Sequence, residues 1–215
     1  FGISVYPDDA ATSNELLVNA DMAMYEAKVR GKNNFQFFNQ KMNDDHSLKY
    51  QLENDLRQAV DTDQIELYYQ PQIDSASGSV IGVEALMRWN HPVKGMIPPS
   101  VFIPIAEESG LILPLGKWLI ETVCQHGKKL VDSGLKDIPI AINISAIQIR
   151  ESCFIENITN AIKSTGLDPK RLEFELTESV LMEDSELIID KFMKLNDMGL
   201  KMAIDDFGTG FSSMS

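Results

Sequence analysis

Apolar residues recur along this chain with helical spacing in some stretches and with alternation in others. Leu16, Ala20, Met24 and Ala27 keep a helical period after the capping-box sequence Thr12-Ser13-Asn14-Glu15, and Gly31 is suitably placed to end that helix. An apolar run over 1–6 precedes it, turned by Pro7-Asp8-Asp9, and Asn34-Phe35-Gln36-Phe37 alternates as a short strand does. Residues 1–40 thus read as strand, turn, helix and strand, too little for a domain alone. Leu48, Leu52, Leu56 and Ala59 then fall on one helical face, which predicts a linker helix within 41–60.

From residue 61 the chain alternates between the two periods. Strands are predicted over 65–73, 80–89, 138–145, 172–178 and 201–205. Helices are predicted to end near Ser109 and to cover 115–131, 151–165 and 185–198, with Gly110, Gly134, Gly166 and Gly199 as their stops. Repeated βα units predict an α/β fold with a mostly parallel sheet, and candidate active groups at strand C-terminal ends favour a (β/α) TIM-like barrel. Such barrels commonly need about 250 residues, so 61–215 is expected to form an incomplete one. The chain opens on Phe1 inside an apolar run and stops at Ser215 in a Gly/Ser-rich loop, so both ends are expected to be cut.

Composition narrows the function classes. With 44% hydrophobic residues among 215, the chain can bury a core, while a formal net charge of −13 argues against a general surface for nucleic-acid polymers or anionic membranes. A nucleotide ligand on so acidic a chain needs a metal bridge. Cys124 and Cys153 form no metal-binding spacing, which suits a reducing cytoplasm, and no segment has the length or the flanks of a membrane helix or signal peptide.

The candidate chemistry lies at strand ends. Glu84, Asn143, Glu175, Glu178, Asp205 and Asp206 are hard oxygen donors, with no His or Cys at comparable positions, and such donors select Mg²⁺, Mn²⁺ or Ca²⁺ over zinc. Adjacent carboxylates such as Asp205-Asp206 suit a pair of ions, which activate water and neutralise the charge developing on a phosphodiester. Plainer readings stand beside these: a helix N-cap for any one strand-end carboxylate, an Asx turn for Asn143, and a helix-opening role for Glu178. Arg88 suits either a bidentate phosphate contact or a structural ion pair, and Gln70 either a base edge or a sheet-end hydrogen bond. His91, before Pro92, reads as a loop or cap residue. Asp206-Phe207-Gly208 matches a kinase tripeptide, but the chain has neither a glycine-rich phosphate loop near a strand lysine nor an HRD loop. Gly208 and Gly210 suit a mobile loop or an ordinary tight turn.

Tyr69-Gln70-Pro71, Glu84-Ala85-Leu86-Met87-Arg88-Trp89, Phe102-Ile103-Pro104 with Ala106-Glu107, Asn143-Ile144-Ser145, Glu175-Leu176-Thr177-Glu178 and Asp205-Asp206-Phe207-Gly208 occur in that order. Together they closely resemble the EAL-domain family, which hydrolyses cyclic di-GMP to linear pGpG. Gly2-Ile3-Ser4, Asn19-Ala20-Asp21, Ala23-Met24-Tyr25 and Ala27-Lys28 similarly resemble the C-terminal end of a GGDEF diguanylate cyclase domain. The resemblance implies a GGDEF remnant over 1–40, a linker helix over 41–60 and an EAL domain over 61–215. It implies that Glu84, Asn143, Glu175 and Asp205 ligate Mg²⁺ or Mn²⁺, with Asp206 near a second ion and Ca²⁺ as an inhibitory occupant. It further implies that Glu178 supports the loop starting at Asp205, that Gln70 and Arg88 touch the dinucleotide, and that 209–213 belong to a sensing loop. A homodimer through the EAL domain and a membrane tether elsewhere in the parent protein are compatible with it.

The family's lysine near the attacking water, a further glutamate and a substrate-contacting glutamine have no counterpart here, and the GGDEF signature falls before Phe1. A phosphodiesterase is therefore the expected parent enzyme, a nucleotide-binding module without catalysis its competitor, and a fragment with little activity of its own the third expectation. Cyclase activity is not expected of this chain.

Overall fold

The computed structural model describes residues 1–135, 138–177 and 185–205, which form two compact units, 1–55 and 56–215. In the first, β1 (Gly2–Ile3) and β2 (Gln36–Phe37) pair in parallel, and α1 (Ser13–Val29) packs on them with Ala23 and Ala27 buried. Thr12 and Glu15 close the expected capping box. Only two of the first six residues are strand, because Val5 N–H turns to the Asp9 carboxylate instead of to a neighbouring strand. Helix α2 covers Gln40–Ala59.

The second unit begins with a hairpin. β3 (Ile65–Ile73) and β4 (Val80–His91) run antiparallel around a turn in which Asp74 accepts from the Ser77 N–H and hydroxyl and Gly78 takes a φ of 71°. β5 (Gly95–Ile97) returns antiparallel on the end of β4. His91, buried at this turn, accepts from the Val93 and Lys94 N–H groups, a loop-holding role in line with its expected placement. After α3 (Pro99–Ser109) and α4 (Ile112–Asp132), β6 (Ile140–Asn143), β7 (Leu172–Thr177) and β8 (Lys201–Asp205) add in parallel. The strand order is β3-β4-β6-β7-β8, so the sheet is mixed: the parallel expectation holds from β4 to β8 and fails where the hairpin and β5 are joined by short turns.

The single helix expected over 151–165 is instead α5 (Ala146–Arg150) and α6 (Phe154–Thr165). Glu151 breaks the run with an extended ψ of 136°. The carbonyls freed there are taken by a cation: Lys191, on α7 (Ser185–Asp197), is buried and donates through Nζ to the Ile149 and Glu151 oxygens at 2.6 Å each. Burial lowers the Lys191 pKa, with the Glu151 carboxylate opposing that shift.

Alternation decides which face of the sheet meets the helices. Leu172, Phe174 and Leu176 are at most 1% exposed, and pack with Ile140 and Ile142 of β6 against residues of α4 and α6 such as Val123, Cys124, Ile158 and Ala161. Each such side chain contributes roughly 1.5–3 kcal/mol by leaving water. Gly127, inside α4, lets that helix approach Leu167 and Ile140, since a Cβ there would stand 3.1–3.3 Å from their methyl groups. At the margin of this layer the Tyr69 hydroxyl lies 2.8 Å from His126 Nδ1, and burial raises the Tyr69 pKa to about 12 and lowers that of His126.

Phe174→Ala is expected to cost about 3–5 kcal/mol, seen as a lower urea midpoint with an unchanged slope. The lowered His126 pKa means that the unfolded chain binds its proton first. Stability should therefore fall as pH drops below about 6.5 and level off below the folded-state pKa. In His126→Gln, urea titrations between pH 7 and 5 should show a smaller loss than in the parent chain.

Candidate functional site

The face turned away from the helices collects the polar strand residues. Gln70 pairs in register with Glu84, Glu84 with Ala141, and Asn143, two residues further along β6, with Glu175 of β7. Residues in register share a face and the strand period is two, so Gln70, Glu84, Asn143 and Glu175 all stand opposite the Ile142–Phe174 core. Asn143 Nδ2 donates to Glu84 Oε1 at 2.7 Å, joining β4 to β6 through side chains 59 positions apart. An Asx turn would have tied Asn143 to its own neighbours; its recorded side-chain partner is Glu84. Asp205 ends β8 with its backbone in register with Thr177, two residues beyond Glu175. Its side chain, Asp206, Glu178 and the 209–213 loop lie outside the described residues.

Arg88 follows on the same face as Glu84. Its Nη1 donates to the Met87 carbonyl at 2.9 Å, and its guanidinium lies 5.6 Å from the centre of the Tyr68 ring. Among the described residues it has no carboxylate within ion-pair distance. Tyr68 is the residue the sequence reading passed over. The hairpin register, in which Tyr68 faces Leu86 and Glu66 faces Arg88, is the signal that would have found it, once the turn over 74–79 is recognised. Gln70 is exposed at the β3 edge.

The donor set is all oxygen. Glu84 and Glu175 bring carboxylates, and Asn143, its amide nitrogen committed to Glu84, keeps Oδ1 for a cation. Such donors fit Mg²⁺ or Mn²⁺. Among the described residues no three His, Cys, Asp or Glu side chains already converge as a metal cluster, so a complete cage also draws on groups beyond them.

The sheet carries helices on one side and carboxylate and carboxamide oxygens on the other, which makes this an α/β protein; Asn143 ends β6 and Glu175 lies near the end of β7, whereas Glu84, expected at a strand end, lies within β4 because that strand runs on to His91 to pair with β5. The chain belongs to the EAL-domain family, whose sequence model matches residues 53–215. It is 42% identical over 213 residues to the bifunctional diguanylate cyclase/cyclic di-GMP phosphodiesterase MucR of Pseudomonas aeruginosa, covering 99% of this chain and 31% of that one. It is 37% identical to the cyclic di-GMP phosphodiesterase NbdA of the same organism, over 100% of this chain and 27% of the relative. Among solved structures, the MucR phosphodiesterase in complex with c-di-GMP matches with a TM-score of 0.73 at 42% identity, over 76% of this chain and 66% of that one. The EAL enzyme Bd1971 with cAMP and cyclic di-GMP bound matches with 0.74 at 29% identity, over 96% and 54%. The chain spans 31% and 26% of the first two curated relatives. No helix among the described residues is long and apolar enough to cross a membrane.

Glu84 faces away from the hydrophobic core and accepts from Asn143. Glu84→Ala is expected to change folding stability by less than about 1 kcal/mol, since it removes one hydrogen bond at a partly exposed site. Urea titration of the variant beside Phe174→Ala would separate the two faces of the sheet, and a loss as large as that of the core variant would contradict the assignment.

Proposed function

We propose that the protein carrying this chain hydrolyses cyclic di-GMP to linear pGpG with a divalent cation. The observation that carries this reading is the Asn143–Glu84 bond, which ties two motif residues on separate strands into one oxygen-rich site with Glu175 in register beside them. Glu84, Asn143, Glu175 and Asp205 would hold Mg²⁺ or Mn²⁺, with Asp206 beside a second ion. Bound there, such ions polarise water and neutralise charge on a phosphodiester, which the chain's net charge of −13 would otherwise repel.

The chain's own side chains then divide the work. Glu84, by accepting from Asn143 Nδ2, leaves the carboxamide oxygen as the group offered to a ligand. Arg88, flanked by the Tyr68 ring, is suited to take two phosphate oxygens at once. Gln70 carries both a donor and an acceptor, the complement of a guanine edge. The family resemblance assigns Glu178 the support of the loop that starts at Asp205; Glu178 and the loop beyond Asp205 lie outside the described residues. Hydrolysis adds water across one phosphodiester and frees a 3′ oxygen, opening the cyclic dinucleotide.

The finer architecture belongs to the same reading. The parallel run from β4 to β8, with helices on one side, supports a (β/α) TIM-like barrel of which these strands are a part. Residues 1–40 would be the end of a GGDEF domain: the similarity to MucR extends over 99% of this chain, while the EAL match begins only at residue 53.

In protein that also carries the sequence its relatives have on either side, Glu84→Ala should reduce turnover of cyclic di-GMP by at least about a hundredfold, followed as pGpG by chromatography. Wild-type protein that, with Mg²⁺ or Mn²⁺ supplied, binds the dinucleotide and leaves it uncleaved would overturn the hydrolase reading in favour of a receptor.

A further inference from the structure

On the helical side of the sheet, a cavity of about 390 Å³ opens between α4 and the α5–α6 pair. Leu113, Pro114, Ile120 and Phe154 give it apolar walls. At 390 Å³ it falls in the range of small-molecule sites, which are mostly apolar with a few placed polar groups.

The polar group here is Gln148. It is only 5% exposed, yet it lines the cavity. Its Oε1 accepts from the Ser145 N–H at 2.9 Å in the α5 capping box, which fixes the orientation of the amide and makes Nε2 the free end. Nε2 has no hydrogen-bond partner among the described residues. Gly116 of α4 gives it room, since a Cβ at that position would strike Nε2. Open to the cavity, this amide can donate to an acceptor supplied there. The rim adds a second donor, Lys117, whose side chain is 57% exposed and stands 4.0 Å from Glu121. Glu151 is the acidic member of the rim, and its Oε1 accepts from Ser152 at 3.4 Å.

We propose that this cavity binds a small amphipathic carboxylate, its acyl body against Leu113, Ile120 and Phe154 and its head on Gln148 Nε2 and Lys117 Nζ. An anionic head is chosen over a cationic one because Gln148 Nε2 and Lys117 Nζ are both donors, and Gln148, its Oε1 taken by the Ser145 N–H, offers no acceptor there.

Cys153 provides the readout. It is exposed at the rim, whereas Cys124, the other cysteine of the chain, is fully buried with its pKa raised to about 12. Alkylation by iodoacetamide in the folded protein therefore reports on Cys153. Octanoate should slow that alkylation saturably, at least fivefold at high concentration, while octylamine at equal concentration should not. Gln148→Glu keeps the capping-box acceptor and removes the Nε2 donor, so it should abolish the protection with an unchanged melting temperature. Absence of saturable protection in the wild-type chain would overturn the proposal. So would equal protection by octylamine, or full protection retained in Gln148→Glu. The wild-type comparison of the two amphiphiles decides the matter even if the variant fails to fold.

Discussion

The burial of one face of β6 and β7 against α4 and α6 is the constraint on which the rest of the second unit depends. Phe174 and Ile142 have to face the helices, and strand geometry then leaves Glu175 and Asn143 no choice of side. A one-residue slip of β7 would bury Glu173 and Glu175 and expose three apolar side chains, an exchange disfavoured by many kcal/mol. The register that packs the core is thus the same register that brings Asn143 beside Glu84. Site geometry comes from hydrophobic burial on the opposite side of the sheet.

Much of this was legible in the chain. β3 and β8 fall where alternation predicts them, and the capping box at Thr12 and the helix stops at Gly110 and Gly166 form as their residue types suggest. What periodicity missed was set by contacts distant in sequence. β5 has only three residues and exists because β4 continues to His91, offering an edge beyond the predicted strand end. The break between α5 and α6 depends on Lys191, forty positions away, whose ammonium satisfies carbonyls that a continuous helix would have bonded internally. A lysine reads as surface, and nothing local marks this one as buried.

The site was legible as a set of residue types, less so as an arrangement. Oxygen donors at successive strand ends pointed to a hard cation, and register now groups Gln70, Glu84, Asn143 and Glu175 on one face. The Asn143–Glu84 bond was not readable, because it joins strands separated in sequence by two helices. Neither was the pairing of Arg88 with Tyr68, which depends on the hairpin register. Gln148 shows the same limit: Ser145-Ala146-Ile147-Gln148 carries a capping signature, but only the fold shows that the cap leaves its amide nitrogen facing a cavity.

The central claim is that oxygen donors fixed by the sheet register hold a cation that phosphodiester hydrolysis requires. It is tested most directly by stripping metal from the full-length protein and titrating Mn²⁺ back while following pGpG formation. Turnover should vanish on chelation and return with Mn²⁺, and Asn143→Leu should raise the Mn²⁺ concentration needed at least tenfold while leaving the melting temperature nearly unchanged. Turnover that persists in chelated protein, or a Mn²⁺ requirement unmoved by Asn143→Leu, would contradict the account.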